Sequence, residues 1–135
     1  MKTLYIIRGC SGSGKSTFAA TLCKALNGCR VEVDDFMYEN GEYVWKAEKL
    51  ASAHRYVYDF VKKRMQCGIG PIIISDTNVK SRDLQVYLDM AELFHYKVVS
   101  LVVENRHGNT SVHDVSEKTL SRQEAALRNS LKLRA

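Results

Sequence analysis

Four short apolar runs along the chain alternate with segments in which apolar residues recur every three or four positions. The first run, Thr3 to Ile7, is apolar without alternation, a pattern typical of a strand buried on both faces. Similar strands are expected from about Arg30 to Val33, in the run PIIIS from Pro71, and in KVVSLVV from Lys97. Unbroken apolar strands of this kind favour a parallel sheet.

Helical spacing between these runs predicts four helices. The first follows a glycine-rich loop and ends near Asn27, the second runs from Trp45 to about Met65, the third ends near Phe94, and the last starts at Ser116 and carries Leu131. The order βαβαβαβα, with connections long enough for helices, predicts a three-layer α/β fold. Its four-stranded parallel sheet is covered by helices on both faces.

Length and composition narrow the class of protein. A chain of 135 residues with 45% hydrophobic residues is expected to form one domain, residues 1–135. No apolar run approaches the ~20 residues that span a bilayer, and no signal-peptide pattern is present, so we expect a cytoplasmic protein. The net charge of +5 favours an anionic partner without identifying it. The four cysteines lack metal-ligand spacing, so no disulfide or zinc site is assigned.

The segment GCSGSGKST matches the phosphate-binding pattern GxxxxGK[ST] and lies between a predicted strand and a predicted helix. Glycines allow the backbone to wrap around phosphate, and the N–H groups at the helix start attract anions. Lys15 is expected to reach the β and γ phosphates, and Ser16 is expected to bind Mg²⁺. The predicted ligands are therefore ATP and Mg²⁺, with nucleotide contacts from Gly9, Ser11, Gly12, Ser13, Gly14, Lys15, Ser16 and Thr17.

Acidic residues follow the second and third strands. Ligands of open α/β sheets bind at the carboxyl ends of strands, so Asp34 or Asp35 is a candidate to accept the proton of an acceptor hydroxyl. The alternative is that both are helix-capping or solvated loop acids. Asp76 stands where a second acid would act on Mg²⁺; its alternative is a turn with Thr77 and Asn78.

The polar segment before the last helix is a natural lid. Arginines brought in by a lid stabilise the transferring phosphoryl group and exclude water. The candidates are Arg106, His107, His113 and Arg122. Arg106 is favoured because it comes just after the fourth strand, although a lone surface arginine is usually only solvated.

The segments GCSGSGKST, VDDF, GEYVW, PIIISDTN and ENRHGN…HDVS together resemble the small P-loop kinase-like ATPases, a family that includes the kinase domain of bacteriophage polynucleotide kinase. The resemblance covers essentially the whole chain and implies a strand order of 2-3-1-4. It implies that Lys15 and Ser16 serve ATP and Mg²⁺ and that Asp34 is the general base. It also implies that Asp76 belongs to the active site and that Arg106 opens the lid on the nucleotide phosphates.

The expected activity is an ATP- and Mg²⁺-dependent kinase, with the 5′-hydroxyl of DNA or RNA as the favoured acceptor. Two departures leave the acceptor open: Met37 stands where the phage enzyme carries an acceptor-side arginine, and a second lid arginine is replaced near Thr110. One alternative is a kinase of a nucleoside, nucleotide or other small hydroxyl compound, which needs a closed acceptor pocket rather than an open groove. The other is a noncatalytic ATP-binding switch. Tyr38 and Tyr43 are placed to meet an acceptor.

Overall fold

The computed structural model describes residues 2–76, 80–107 and 115–134. Its strands are β1 (Thr3–Arg8), β2 (Cys29–Val31), β3 (Tyr38–Glu39), β4 (Glu42–Tyr43), β5 (Ile72–Ile74) and β6 (Lys97–Val102). Its helices are α1 (Lys15–Leu26), α2 (Leu50–Gln66), α3 (Ser81–Phe94) and α4 (Glu117–Ser130). None of the helices within these ranges is long and apolar enough to cross a membrane.

The main sheet contains four parallel strands in the order β2-β5-β1-β6. Because β3 and β4 form a separate hairpin, this order is the 2-3-1-4 arrangement expected from the sequence, and the expected fold is confirmed. Leu4 of β1 pairs with Ile72 of β5 on one side and with Val98 of β6 on the other. The glycine-rich loop therefore leaves a central strand of the sheet.

Helices cover both faces of the sheet, as predicted. On one face, Leu4 and Ile6 pack with Val57 of α2 in a cluster that also includes residues of α3. On the other face, Ile7 packs with Ala19 of α1. All five side chains are fully buried, which explains why the central strands show unbroken apolar runs instead of alternation.

The chain after β2 differs from the prediction. The strand was expected to continue to Val33, but it ends at Val31, and a 3₁₀ helix occupies Val33–Met37. The cause is a reciprocal cap, in which the Glu32 side chain accepts from the Asp35 N–H and the Asp35 carboxylate accepts from the Glu32 N–H at 3.0 Å. The cap turns the backbone at the carboxyl end of the sheet.

The turn-rich segment YENGEY forms the hairpin of β3 and β4, which the sequence analysis did not predict. Asn40 and Gly41 both have positive φ, 51° and 82°, as a two-residue Asn-Gly hairpin turn requires. The Val44 N–H donates to the Met37 carbonyl at 2.7 Å. The pairing thus continues one step beyond the hairpin.

The prediction that the second helix starts at Trp45 is wrong. A 3₁₀ turn occupies Ala47–Lys49, and α2 begins only at Leu50. The preceding residue Lys46 is extended, with φ −134° and ψ 125°. Since the hairpin holds this segment extended, Trp45 stands outside the helix and is 56% exposed.

Helix α4 begins as predicted at Ser116, whose hydroxyl accepts from the Thr119 N–H at 3.2 Å. The helix ends at Ser130, so Leu131, expected within it, lies just beyond its end in extended conformation. The buried Arg8 side chain at the end of β1 donates to the Ser130 hydroxyl. This bond ties the end of α4 to the central strand.

Replacing Leu4 with alanine should destabilise the fold by about 3 kcal/mol, because the fully buried side chain leaves a cavity between β1 and the helical layer. Urea denaturation of both proteins measures the free energy of unfolding. Leu133→Ala is the matched control, because Leu133 is 91% exposed and its loss should change stability by no more than about 0.5 kcal/mol. Equal effects of the two changes would refute the proposed core.

Candidate active site

A cavity of about 1010 Å³ lies at the carboxyl end of the sheet. Segments following all four parallel strands line it: Ser11 to Phe18 after β1, Val33 and Asp34 after β2, Ser75 and Asp76 after β5, and Val103 and Glu104 after β6. The cavity therefore brings together Ser11, Gly12, Ser13, Gly14, Lys15, Ser16, Thr17, Asp34 and Asp76 of the predicted site residues. Gly9 and Arg106 do not line it.

Two glycines give the loop its shape. Gly14 caps α1 in the left-handed region, with φ 97°, where other residues are strained. Gly9 lies below the loop, where a Cβ atom would stand 2.6 Å from the Ser13 Oγ and 2.7 Å from the Val103 carbonyl oxygen. The loop closes so tightly that the N–H groups at the start of α1 are presented to the cavity, the arrangement that binds phosphate.

Lys15 extends along the loop, and its ammonium donates to the Cys10 carbonyl at 3.2 Å. Burial lowers the pKa of Lys15, whereas the carboxylates of Asp34, Asp76 and Glu32 raise it in part. The ammonium therefore shares the cavity with Asp34 and Asp76 and also feels the charge of Glu32. Its position against the loop is suited to the phosphates of a bound nucleotide.

Glu32 joins the glycine loop to the end of β5, a link that the sequence analysis missed. Its Oε2 atom accepts hydrogen bonds from the Ser16 hydroxyl at 2.9 Å and from the Ser75 hydroxyl at 2.6 Å. The sequence carried a weak signal, because Glu32 is an acid at the end of a predicted strand, where ligands of such sheets bind. The serine expected to bind Mg²⁺ is thus held by a carboxylate.

Asp76 is the buried acid of the site. Its Oδ1 atom accepts from the Val33 N–H at 2.6 Å, and its buried Oδ2 atom has no hydrogen-bond partner within the described residues. Burial, together with the nearby carboxylate of Glu32, raises the pKa of Asp76 to about 7. The Val33 N–H bond and Lys15 act in the opposite direction.

These oxygen atoms fit a magnesium ion. Mg²⁺ is usually bound by one or two carboxylates together with substrate phosphates and several waters. Asp76 supplies a carboxylate oxygen without a partner among the described residues, and the Ser16 hydroxyl lines the same cavity. The described residues contain no group of three or more His, Cys, Asp or Glu side chains suited to a metal, so the ion would depend on the nucleotide for further ligands.

The two acids of the Asp34–Asp35 pair have different environments. The Asp35 carboxylate caps the backbone at Glu32. The Asp34 carboxylate lines the cavity and accepts from the Tyr43 hydroxyl at 3.0 Å. Burial and the neighbouring Asp34 raise the pKa of Tyr43, so its hydroxyl remains a donor. Asp35 is therefore used in capping the backbone, whereas Asp34 lies in the cavity.

Of the lid candidates within the described residues, only His107 lines the cavity. Arg106 is highly exposed and pairs with Glu104. His107 lines the cavity, and its Nε2 atom lies 3.0 Å from the Ser13 carbonyl oxygen. Arg122 donates to the Thr119 hydroxyl on its own helix at 3.4 Å. His113 and Thr110 lie outside the described residues, as do Thr77 and Asn78.

A glutamine on α4 contacts the glycine loop. The Gln123 side-chain carbonyl accepts from the Ser11 N–H at 2.9 Å. Sequence reasoning did not identify Gln123, because a polar residue on an amphipathic helix carries no signal of its long-range partner. One loop N–H is therefore bonded to α4 in this structure.

The cavity borders a second groove near the start of α2. Tyr43, Trp45, Leu50 and His54 line this end of the cavity. The groove, of about 610 Å³, shares Leu50 and His54 with it and continues to Arg82. The two cavities therefore meet at the start of α2.

A family described as "AAA domain" matches residues 4–125. The chain belongs to this family. The match includes the glycine loop, all four strands of the parallel sheet and most of α4, and the fold of this AAA domain is that of the P-loop kinases.

Curated relatives are much longer than this AAA domain. Human NEDD4-binding protein 2 is 34% identical over 97 residues, which cover 71% of this chain and 6% of the relative. The 2′,3′-cyclic-nucleotide 3′-phosphodiesterase of Pongo abelii is 30% identical over 100 residues, covering 73% of this chain and 23% of the relative. The chain thus spans less than a quarter of the length of either protein.

Solved structures share the fold at low sequence identity. A chain of the Pnkp1/Rnl/Hen1 RNA repair complex superposes with a TM-score of 0.70 and 23% identity, covering 96% of this chain and 45% of that one. A sugar kinase from Janibacter gives a TM-score of 0.63 at 20% identity, covering 94% and 78%. Both comparisons describe the fold of the AAA domain and leave its acceptor undetermined.

Replacing Asp76 with asparagine should stabilise the metal-free AAA domain near neutral pH. The pKa of Asp76 is raised from its ordinary 3.8 to about 7, so the folded state loses stability relative to the unfolded state as pH rises between these values. The asparagine variant has no carboxyl group at this position to ionise, so it does not lose stability in this way. Its unfolding free energy minus that of the unmodified protein should grow from about pH 4 to about pH 7, by up to about 4 kcal/mol.

Urea denaturation in the presence of EDTA measures this difference at each pH. A difference that stays constant across the range would show that the Asp76 carboxyl titrates normally in the folded protein.

Proposed function

We propose that this AAA domain is an ATP- and Mg²⁺-dependent kinase whose acceptor is the 5′-hydroxyl of DNA or RNA, with residues 1–135 acting as one kinase domain. The observation that carries the proposal is the separation of the acid pair. Asp35 is used in the backbone cap, whereas Asp34 is held by Tyr43 in the cavity that contains Lys15. A carboxylate facing a phosphate-binding lysine is the arrangement that a kinase base needs.

The proposed step is a single displacement. Asp34 accepts the proton of the acceptor hydroxyl, the acceptor oxygen bonds to the γ-phosphorus, and the bond from that phosphorus to the β–γ bridging oxygen breaks to release ADP. Lys15 and the loop N–H groups hold the phosphates and compensate their negative charge. Ser16 and Asp76 would hold Mg²⁺, which supplies further charge neutralisation at the phosphate oxygens.

The open acceptor end supports a polymer. A small metabolite needs a closed pocket, whereas the cavity here adjoins a second groove that shares Leu50 and His54 with it. Met37 is fully buried in the core, so this position does not face an acceptor and its identity does not argue against a polynucleotide. Arg82 in the groove wall pairs with Asp83 at 4.0 Å, so these two charges offset each other.

Asp34→Asn should lower phosphoryl transfer by about 10²- to 10⁴-fold, because it removes the proton acceptor. Asp35→Asn is the matched control: its amide oxygen can still accept from the Glu32 N–H, so transfer should stay within a few-fold of the unmodified protein. Transfer from γ-labelled ATP to 5′-hydroxyl DNA and RNA oligomers measures the rates, and ATP binding to both variants should persist.

The choice of acceptor is read from the same assay with nucleosides, nucleotides and sugars alongside the oligomers. Label confined to a small compound would replace the polynucleotide assignment with a metabolite kinase. ATP binding without transfer to any acceptor would favour a nucleotide switch. If Asp34→Asn and Asp35→Asn reduced transfer equally, the assignment of the base would be wrong.

A further inference from the structure

The chain has one tryptophan, and it stands at the acceptor end of the cavity. Trp45 is 56% exposed although its side chain is a large aromatic one. Tryptophan is usually well buried in folded proteins. An exposed indole on the wall of a substrate cavity offers a flat apolar face that a ligand can cover.

Two sets of contacts fix the segment that carries Trp45. On its amino-terminal side, the Val44 N–H donates to the Met37 carbonyl at 2.7 Å. On its carboxyl-terminal side, Lys46 and Lys49 both bind the Glu39 carboxylate, at 2.7 and 2.6 Å. These contacts hold the backbone on both sides of Trp45. Little backbone conformational entropy is therefore lost when a ligand covers the indole.

The position of Trp45 relative to the candidate base suits a nucleotide. Tyr43 binds Asp34 at 3.0 Å, and Trp45 follows two residues later, so in an extended segment both side chains point to one side about 7 Å apart. Both line the cavity. The indole therefore lines the same cavity as the candidate base Asp34.

The wall at this end favours a base over a polyhydroxylated compound. It comprises Val33, Asp34, Tyr43, Trp45, Leu50 and His54. Val33, Trp45 and Leu50 are apolar, and the hydroxyl of the aromatic Tyr43 already binds the carboxylate of Asp34. A sugar acid or a sugar chain would need more hydrogen-bonding groups than this wall supplies.

We propose that Trp45 is the stacking platform for the base of the 5′-terminal nucleotide of the acceptor. The inference rests on the proposed kinase function and specifies its acceptor: an unpaired terminal base lies on the indole while its 5′-hydroxyl reaches Asp34, and the rest of the strand leaves through the groove at His54. Stacking tolerates any of the bases, because every base has an aromatic face.

Fluorescence of the single tryptophan gives a binding signal that does not depend on turnover. The Asp34→Asn protein is titrated with a 5′-hydroxyl oligonucleotide and with the same strand carrying an abasic 5′-terminal residue. Stacking predicts quenching by the first strand, and about 5- to 150-fold weaker binding with little quenching by the second. Equal quenching by both strands would overturn the proposal.

The matched variants are Trp45→Ala and Trp45→Phe in the protein with Asp34 intact. Trp45→Ala should raise the KM for the oligonucleotide by about 5- to 150-fold without changing the KM for ATP. Trp45→Phe should retain most of the affinity, because a phenyl ring still stacks. Circular dichroism checks that both variants fold.

Two failures are distinguishable. If the protein phosphorylates oligonucleotides and Trp45→Ala does so with unchanged KM, stacking on Trp45 is excluded while the kinase proposal stands. If terminal bases quench Trp45 but the protein transfers no phosphoryl group, the kinase proposal fails while the binding platform stands.

Discussion

The close approach of the glycine loop to β6 is the constraint on which the rest of the site depends. The Val103 N–H donates to the Arg8 carbonyl at 2.8 Å. At Gly9, the residue after Arg8, there is no room for a Cβ atom beside Ser13 and Val103. Because the loop is fixed there at the end of the central strand, α1 starts with its N–H groups facing the cavity. The position of Lys15 follows from the same geometry.

Three acidic side chains then acquire different properties from their surroundings. The Glu32 carboxylate accepts hydrogen bonds from the hydroxyls of Ser16 and Ser75. Asp34 faces the cavity beside the Tyr43 hydroxyl, which suits a proton acceptor. Asp76 is buried, with a raised pKa and one oxygen that has no partner among the described residues, which suits a cation. All three side chains are carboxylates, so their different surroundings arise from the backbone geometry at the ends of β2 and β5.

Local patterns predicted most of the fold but only part of the site. Apolar runs and the glycine motif determined the strands and the loop, because both depend on neighbouring residues. The helix expected at Trp45 was wrong because the hairpin extends that segment, although the Asn40-Gly41 turn signal was present. The Gln123 contact with the loop could not be predicted, since it joins residues distant in sequence.

Equilibrium binding of ATP to a Gly9→Ala variant tests whether this close approach shapes the phosphate site, because the added methyl group would stand 2.6 Å from the Ser13 Oγ. Gly68→Ala is the control, since Gly68 has a positive φ of 67° but a methyl group added there would meet no atom of the described residues within 4 Å. Gly68→Ala should bind ATP as the unmodified protein does, and Gly9→Ala should bind it about tenfold or more weakly, with both variants folded. Equal ATP affinity in the two variants would contradict a phosphate cradle shaped by Gly9.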